Sequence, residues 1–409
     1  MIELITIKNI LGPFKYKSFS LLTLGGTLSR IGSSAAQATL IWYIISNNTA
    51  SFLGLFLALY WCSRILAQLF TGVFVDNFDR SKAMILGDII GGTLFIVVAL
   101  MVYMDMGTNY LLGVYILIGM FSQIYPVASQ TVIPDIVPQN ELSKANAGLQ
   151  TSLDGGGIVG PAIGTLLLGA VSAWFVFGLN TLSFMLSAIA VFFARIKSKP
   201  IQGGQGKKVI NQIKEGLSNV WNIKSLHNIA LIGFFLHFAI IPVETVLLST
   251  LIEGVYHFPA WVYGVTVGMI NAGSVIFGLI LSFYNFKLSS KTMMAITIIL
   301  EAISFLLLGF LGWKIMIWAI AFIHGGAGTL LFIYVLTIVQ ESTKTEIRGK
   351  AFSAIYLAVE IGSAIGLLVC GILTSYVSLT TILILFSVLA LLNIIFIIRI
   401  PQYNKKAVQ

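Results

Sequence analysis

Six ionisable side chains set the chemical question this sequence poses. Arg30, Arg64, Asp154, Glu301 and Glu360 each sit near the middle of an otherwise apolar, helix-length stretch, and Glu244 follows Pro242 in another. A charge at mid-bilayer depth costs about 2.5–3.5 kcal/mol on insertion scales. A chain that keeps both signs there is expected to give them a polar cavity. Three kinds of chemistry are open to such groups: structural ion pairing, anchoring of a charged ligand, and loading and release of a proton. The last is open to an acid because loss of solvent penalises its charged form.

Depth counting narrows the choices without closing them. At 1.5 Å per residue, Arg30 and Arg64 each lie about 16 Å from one end of their segments, Asp154 about 13 Å and Glu360 about 15 Å. Arg30 or Arg64 can therefore pair with Asp154 as a structural salt bridge. Equally, Arg30 can anchor an anionic or carboxylate-bearing ligand. Asp154, Glu244 and Glu360 are candidate proton carriers. His237 and His324 can relay protons or be packed polar residues. The segment around Arg30 also carries a stripe of Thr27, Arg30, Ser33, Ser34 and Gln37. Steps of three to four put these on one helix face, which should look at a cavity or a partner helix. Tyr115, Gly119, Ser122, Pro126 and Ser129 recur at similar spacing.

The elements that must position these groups are membrane helices. The 409 residues are 57% hydrophobic and only 10% charged, against roughly 25% charged in a soluble domain. Spans are expected at 19–45, 51–75, 83–104, 109–133, 145–168, 172–195, 226–251, 259–284, 292–312, 315–340, 350–375 and 379–399. Apart from Arg30, Arg64 and Lys314, all 24 Lys and Arg fall at the termini or in every second loop. By the positive-inside rule this predicts an even number of spans with both termini cytoplasmic. The net charge of +9 is then an anchoring charge and gives no indication of nucleic acid as a partner. The first 18 residues lack a signal-peptide pattern. Cys62 and Cys370 lie within spans and read as core residues, with no disulfide or metal pair between them.

The longest polar stretch runs from Lys197 to Ser225. It opens with a Gly203-Gly204-Gln205-Gly206 linker. Ile210, Ile213, Leu217, Val220 and Trp221 then recur at helical spacing among lysines, as in a helix lying on the membrane surface. The expected organisation is an N-terminal six-helix bundle at 1–196, a cytoplasmic linker at 197–225 and a C-terminal six-helix bundle at 226–409. Gly160-Pro161-Ala162-Ile163-Gly164 and Gly362-Ser363-Ala364-Ile365-Gly366 hint that the halves repeat.

Gly72-Val-Phe-Val-Asp76-Asn-Phe-Asp79-Arg80-Ser-Lys82 resembles the signature between helices two and three of the major facilitator superfamily, G-x-x-x-D-R-x-G-R-K. Gly72, Asp76 and Arg80 match. Asn77, Asp79 and Ser81 depart from the pattern. Leu28 to Gly32, Pro134 to Asn146 and Gln340 to Phe352 are similar to stretches of its drug- and siderophore-exporting branch, which includes macrolide efflux proteins and the enterobactin exporter. The resemblance implies an all-α fold of two six-helix bundles around a central cavity. It implies a secondary active exporter of an amphipathic compound working by alternating access, with proton antiport expected, and a monomer in the cytoplasmic membrane. No cofactor is implied.

The resemblance also assigns roles. Helices one, four, seven and ten would line the cavity, bringing Arg30, Ser34, Gln37, Ser122, Glu244 and His324 to it. By helix position, Asp154 and Glu244 are favoured over Glu360 as proton carriers. Glu301 would sit on a peripheral helix as a protonated or paired structural residue, and Asp88 would support the Asp76–Arg80 loop. Gly72, Asp76 and Arg80 would form a cytoplasmic gate, in which Asp76 and Arg80 pair and latch the halves; otherwise these charges only anchor a turn. Gly160, Pro161 and Gly164 resemble the antiporter signature, although ordinary glycine packing explains the same pattern. The arginine common in helix four of superfamily antiporters is missing here.

Two rival functions stay open on the same fold: a lipid or lysolipid flippase, and a metal exporter using His237, Glu244 and His324. An enzyme is not expected, since the chain has no P-loop, no H-E-x-x-H and no G-x-S-x-G.

Overall fold

A computed structural model describes residues 12–196, 218, 220–283, 288–310, 312–343 and 345–401. Side chains at 69, 70, 72, 73, 76, 77, 282, 283 and 345–349 lie outside that description. Every regular element among the described residues is helical. A 3-10 turn at Gly12–Lys15 leads into α1 (Lys17–Asn47), α2 (Ala50–Asn77), α3 (Arg80–Tyr103), α4 (Thr108–Ile136), α5 (Leu142–Ala170) and α6 (Ala173–Ala194). Then come α7 (Lys224–Val255), α8 (Ala260–Phe283), α9 (Ser290–Leu308), α10 (Lys314–Ser342), α11 (Thr345–Leu373) and α12 (Leu379–Arg399). Turns at Ser122-Gln123 and at Asn393 interrupt α4 and α12.

Among the described residues, 11 of these helices hold a stretch long and apolar enough to cross a membrane. The chain is an all-α, multi-pass membrane protein. The exception is α1. Its polar stripe, with Arg30 and Gln37 among serines and threonines, lowers its hydropathy although its 31 residues exceed the length needed.

Caps start several helices. Asp79 accepts a hydrogen bond from the Lys82 amide at the head of α3 (3.0 Å). Ser289 does the same for Thr292 at α9, and Ser378 for Thr381 at α12, each at 3.2 Å. The cap gives Asp79 a local reason to stand where the superfamily signature has glycine.

The chain divides into two compact units: Met1–Tyr43 with Leu66–Gln205, and Ile44–Ile65 with Gly206–Gln409. The first has a core of Leu22, Met84, Val132 and Val191, among others. In the second, α7 packs on α11, α8 on α10, and α9 on both α10 and α12.

The short sequence repeat has the same structural use in both units. A methyl on Gly160 of α5 would come 2.6 Å from the Ile31 carbonyl oxygen of α1, and one on Gly164 would strike that of Ala35. In the second unit, methyls on Gly362 and Gly366 of α11 would strike the carbonyl oxygens of Phe234 and Phe238 on α7. Each pair spaced by four thus seats one helix on another helix's backbone. The expected linker helix falls largely on 197–217 and 219, outside the described residues.

Candidate functional site

The densest polar chemistry lies in the second unit, on three helices. Pro242 interrupts the regular ladder of α7, and two π-helical turns follow, Val243–Leu247 and Leu251–Val255. Such turns concentrate at functional sites because they re-aim side chains. Glu244 sits in the first of them. Its carboxylate Oε1 is 2.9 Å from Nε2 of His324 on α10. The other ring nitrogen of His324, Nδ1, abuts Oε2 of Glu301 on α9.

Tight packing fixes this arrangement. A methyl on Gly325, next to His324, would strike the Ile270 carbonyl of α8, and one on Gly273 would strike that of Phe322. The Ser274 hydroxyl donates to the Gly325 carbonyl at 3.0 Å. The Phe305 ring lies 5.6 Å from the imidazole, centroid to centroid. Gly328 leaves room for the Glu301 carboxyl, since a methyl there would stand 3.2 Å from Oε1.

The three groups are exposed by degrees. Side-chain exposure is 28% for Glu244, 4% for His324 and 0% for Glu301. Glu244, His237, His324 and Glu301 line a cavity of about 340 Å³ whose wall is otherwise mostly apolar, including Leu236, Ile240 and Phe332. His237, two turns before Glu244, places Nδ1 3.1 Å from the Gly233 carbonyl oxygen, which accepts from the ring when Nδ1 carries the hydrogen. A pocket of this volume stands at the small end of drug-binding sites. Among the described residues no group of three or more His, Cys, Asp or Glu side chains could hold a metal ion. Each ring nitrogen of His324 instead faces a carboxylate.

Arg30, Ser34 and Gln37 belong to the first unit. Ser34 is buried under Gly160, while Arg30 and Gln37 are exposed. Ser122 donates to the Gly119 carbonyl at 2.9 Å, where α4 breaks. Asp154 accepts from Gln150 at 2.8 Å and lies within the field of Arg30. Arg64 meets Glu360 of α11 at 3.4 Å and lies over the Trp61 ring, all within the second unit. Arg80 pairs with Asp135 at the end of α4 at 2.7 Å. The side chains of Gly72 and Asp76 are outside the described residues. Asp88, expected to support that loop, is instead buried in the first unit near Ser187 and Tyr125.

Sequence reasoning brought Glu244 and His324 forward but not the contact of His324 with Glu301. The available signal was scarcity. The chain has only 4 histidines, so a mid-span acid has few bases to meet.

Residues 8–409 match the family described as "Transmembrane secretion effector". Macrolide efflux protein A of Streptococcus pyogenes is 25% identical over 367 residues, covering 85% of this chain and 87% of that protein. Multidrug efflux pump Tap of Mycobacterium tuberculosis is 25% identical over 191 residues, covering 45% of this chain and 46% of that protein. Among solved structures, a POT family transporter in complex with 5-aminolevulinic acid superposes with a TM-score of 0.74 at 13% identity, covering 93% of this chain and 95% of that one. A mutant of the nucleoside transporter NupG gives 0.73 at 15% identity over 94% of this chain and 100% of that one. These last two likenesses show the fold. With the helical architecture and the family match over nearly its whole length, the chain belongs to the transmembrane secretion effector family of the major facilitator superfamily, whose members are transporters and not enzymes.

Proposed function

We propose that this protein exports an amphipathic small molecule from the cytoplasm by alternating access, in exchange for protons. In this reading it works as a monomer in the cytoplasmic membrane, with α1 as the twelfth span, two six-helix bundles and both termini cytoplasmic. The observation that carries the proposal is the apolar cavity of the second unit, closed at its polar end by Glu244 bound to His324. Apolar walls suit the body of a drug-like molecule. An acid at the wall exchanges a proton without requiring a cofactor or a metal. The efflux relatives supply the outward direction and the substrate class, small molecules such as macrolides.

Glu244 is the proton carrier this cavity favours. Glu360 and Asp154 are engaged elsewhere, with Arg64 and with Gln150. Arg80, bound to Asp135, is the described member of the expected gate.

Everted vesicles loaded by respiration test the reading with ethidium and radiolabelled erythromycin as probes. Uptake should rise at least several-fold over vesicles lacking the protein and collapse with a protonophore. Uptake of both probes that survives a collapsed gradient would rule out proton antiport. Translocation of a labelled lysolipid, with no transport of either probe, would favour the flippase reading.

A further inference from the structure

The contact between His324 and Glu301 goes beyond a cavity with one acid in its wall. We infer that Glu301 is the proton store of this transporter, exchanging its proton with Glu244 through the two ring nitrogens of His324. The inference rests on the proton-antiport reading and names the group that reading lacks.

The geometry supports it in three ways. First, the groups are in series. His324 touches Glu244 with one nitrogen and Glu301 with the other, and side-chain exposure falls along the row from 28% to 4% to 0%, although all three border the cavity. Second, the imidazole is the only side chain that forms an ion pair with Glu301 among the described residues; both Glu301 oxygens and Nδ1 of His324 are buried, and none of them has a hydrogen-bond partner there, which leaves the close Nδ1–Oε2 contact as their polar company. Third, hydrogen counting restricts what the triad holds. Two nitrogen–oxygen lines, each needing one hydrogen, hold two protons between them. Two carboxylates flanking an imidazolium meet this count, and so does one carboxylic acid beside a neutral ring. Both arrangements carry one net negative charge, which a third proton would cancel.

The step between the two carboxyls balances. The Glu301 carboxylic acid gives its proton to Nδ1 of His324. The proton on Nε2 passes to Oε1 of Glu244. The ring changes tautomer, Glu301 becomes a carboxylate and Glu244 a carboxylic acid. One proton has moved to the cavity wall and no net charge has been created. The reverse step refills the store.

Other titratable groups near the triad are few. His237 on α7 and Tyr356 on α11 line the same cavity. Buried Tyr263 of α8 lies within the field of Glu244. Helix α12, which packs on α9, carries no titratable side chain before Arg399. None of these stands between His324 and Glu301.

The experiment compares wild type with Glu301→Gln and Glu301→Asp in reconstituted vesicles. Uphill ethidium uptake is read against pH, alongside ethidium counterflow, which needs no proton. Glu301→Gln should keep counterflow within about twofold and lose uphill uptake by at least tenfold. Ethidium affinity should lose its pH dependence in this variant. Glu301→Asp should restore uphill uptake with a displaced pH profile. If Glu301→Gln also loses counterflow, Glu301→Asp decides: restored uptake on a displaced profile supports the store, and restored uptake on the wild-type profile overturns it. Protonophore-sensitive uptake that Glu301→Gln leaves unchanged in size and pH profile overturns this inference alone. Wild-type uptake insensitive to protonophore overturns the antiport reading as well.

Discussion

The two units build one helix contact twice and equip it differently. In each, glycines spaced by four seat one helix on the backbone of another: Gly160 and Gly164 against α1, Gly362 and Gly366 against α7. In each, a helix beginning with a side-chain cap carries a fully buried acid, Asp88 on α3 and Glu301 on α9. Asp88 has Ser187 and Tyr125 for company, and, as at Glu301, neither carboxyl oxygen has a hydrogen-bond partner among the described residues. Glu301 has a histidine against it and, through the histidine, a second acid that faces a cavity. The scaffold repeats, while a row of acid, histidine and acid is found, among the described residues, in one copy.

That contrast is broken most directly at His324. His324→Ala leaves Glu301 sealed without its base and Glu244 without its partner. Removing one member of a buried ion pair costs on the order of 3–5 kcal/mol. Uphill uptake should fall at least tenfold, and thermal unfolding in detergent should move down by several degrees. Asp88→Asn in the first unit should keep uphill uptake within about twofold and leave its pH profile in place. A loss of uptake at Asp88 equal to that at His324 would show that the units share the chemistry and would sink the comparison.

The shared half of the comparison is sharpened at the glycines. A methyl on Gly160 or Gly362 meets a backbone carbonyl that cannot turn aside. Overpacking of this kind costs about 1–3 kcal/mol. Gly160→Ala and Gly362→Ala should therefore lower the melting temperature by similar amounts, because the two contacts are built alike. If the Gly160-Pro161-x-x-Gly164 stretch serves only packing, the two variants should also leak protons equally. Excess leak in Gly160→Ala alone would give the first-unit motif a role that its counterpart lacks.

The same two motifs show how far the sequence could be read. The many-span helical architecture and the approximate helix limits followed from hydropathy, which the bilayer sets over long stretches. The glycine pairs were legible because they recur in register. The pairing of charges was not. Depth counting placed Arg30, Arg64, Asp154 and Glu360 at similar levels, but it cannot say which way a side chain points around the helix. Arg64 meets Glu360 some 300 residues away, while Asp154 is held by Gln150 on its own helix. Glu301 was obscured for a related reason. Its role depends on a π-helical turn that re-aims Glu244 and on glycines that bring α8 onto α10. Neither is visible in hydrophobic periodicity.

The smallest effects are expected at two bridges that tie the ends of first-unit helices. Arg80 and Asp135 pair at 2.7 Å with side-chain exposures of 12% and 31%, and Lys15 and Glu141 at 2.6 Å with 58% and 16%. A partly exposed pair such as Arg80–Asp135 contributes about 0–1 kcal/mol, and exposure and salt reduce that. Asp135→Asn should thus lower the melting temperature by a degree or two, and Lys15→Met by less. The Lys15 pair carries a pH signature. The hydrogen bond to Glu141 raises the Lys15 ammonium above its usual 10.5. A raised pKa in the folded chain stabilises fully below the unfolded value and is lost as pH rises through the folded one. The small gap between wild type and Lys15→Met should therefore hold at neutral pH and vanish in strong alkali above the ordinary lysine pKa. A gap that stays constant across that range would mean that Lys15 does not act through its charge, neither on Glu141 nor over the Tyr16 ring.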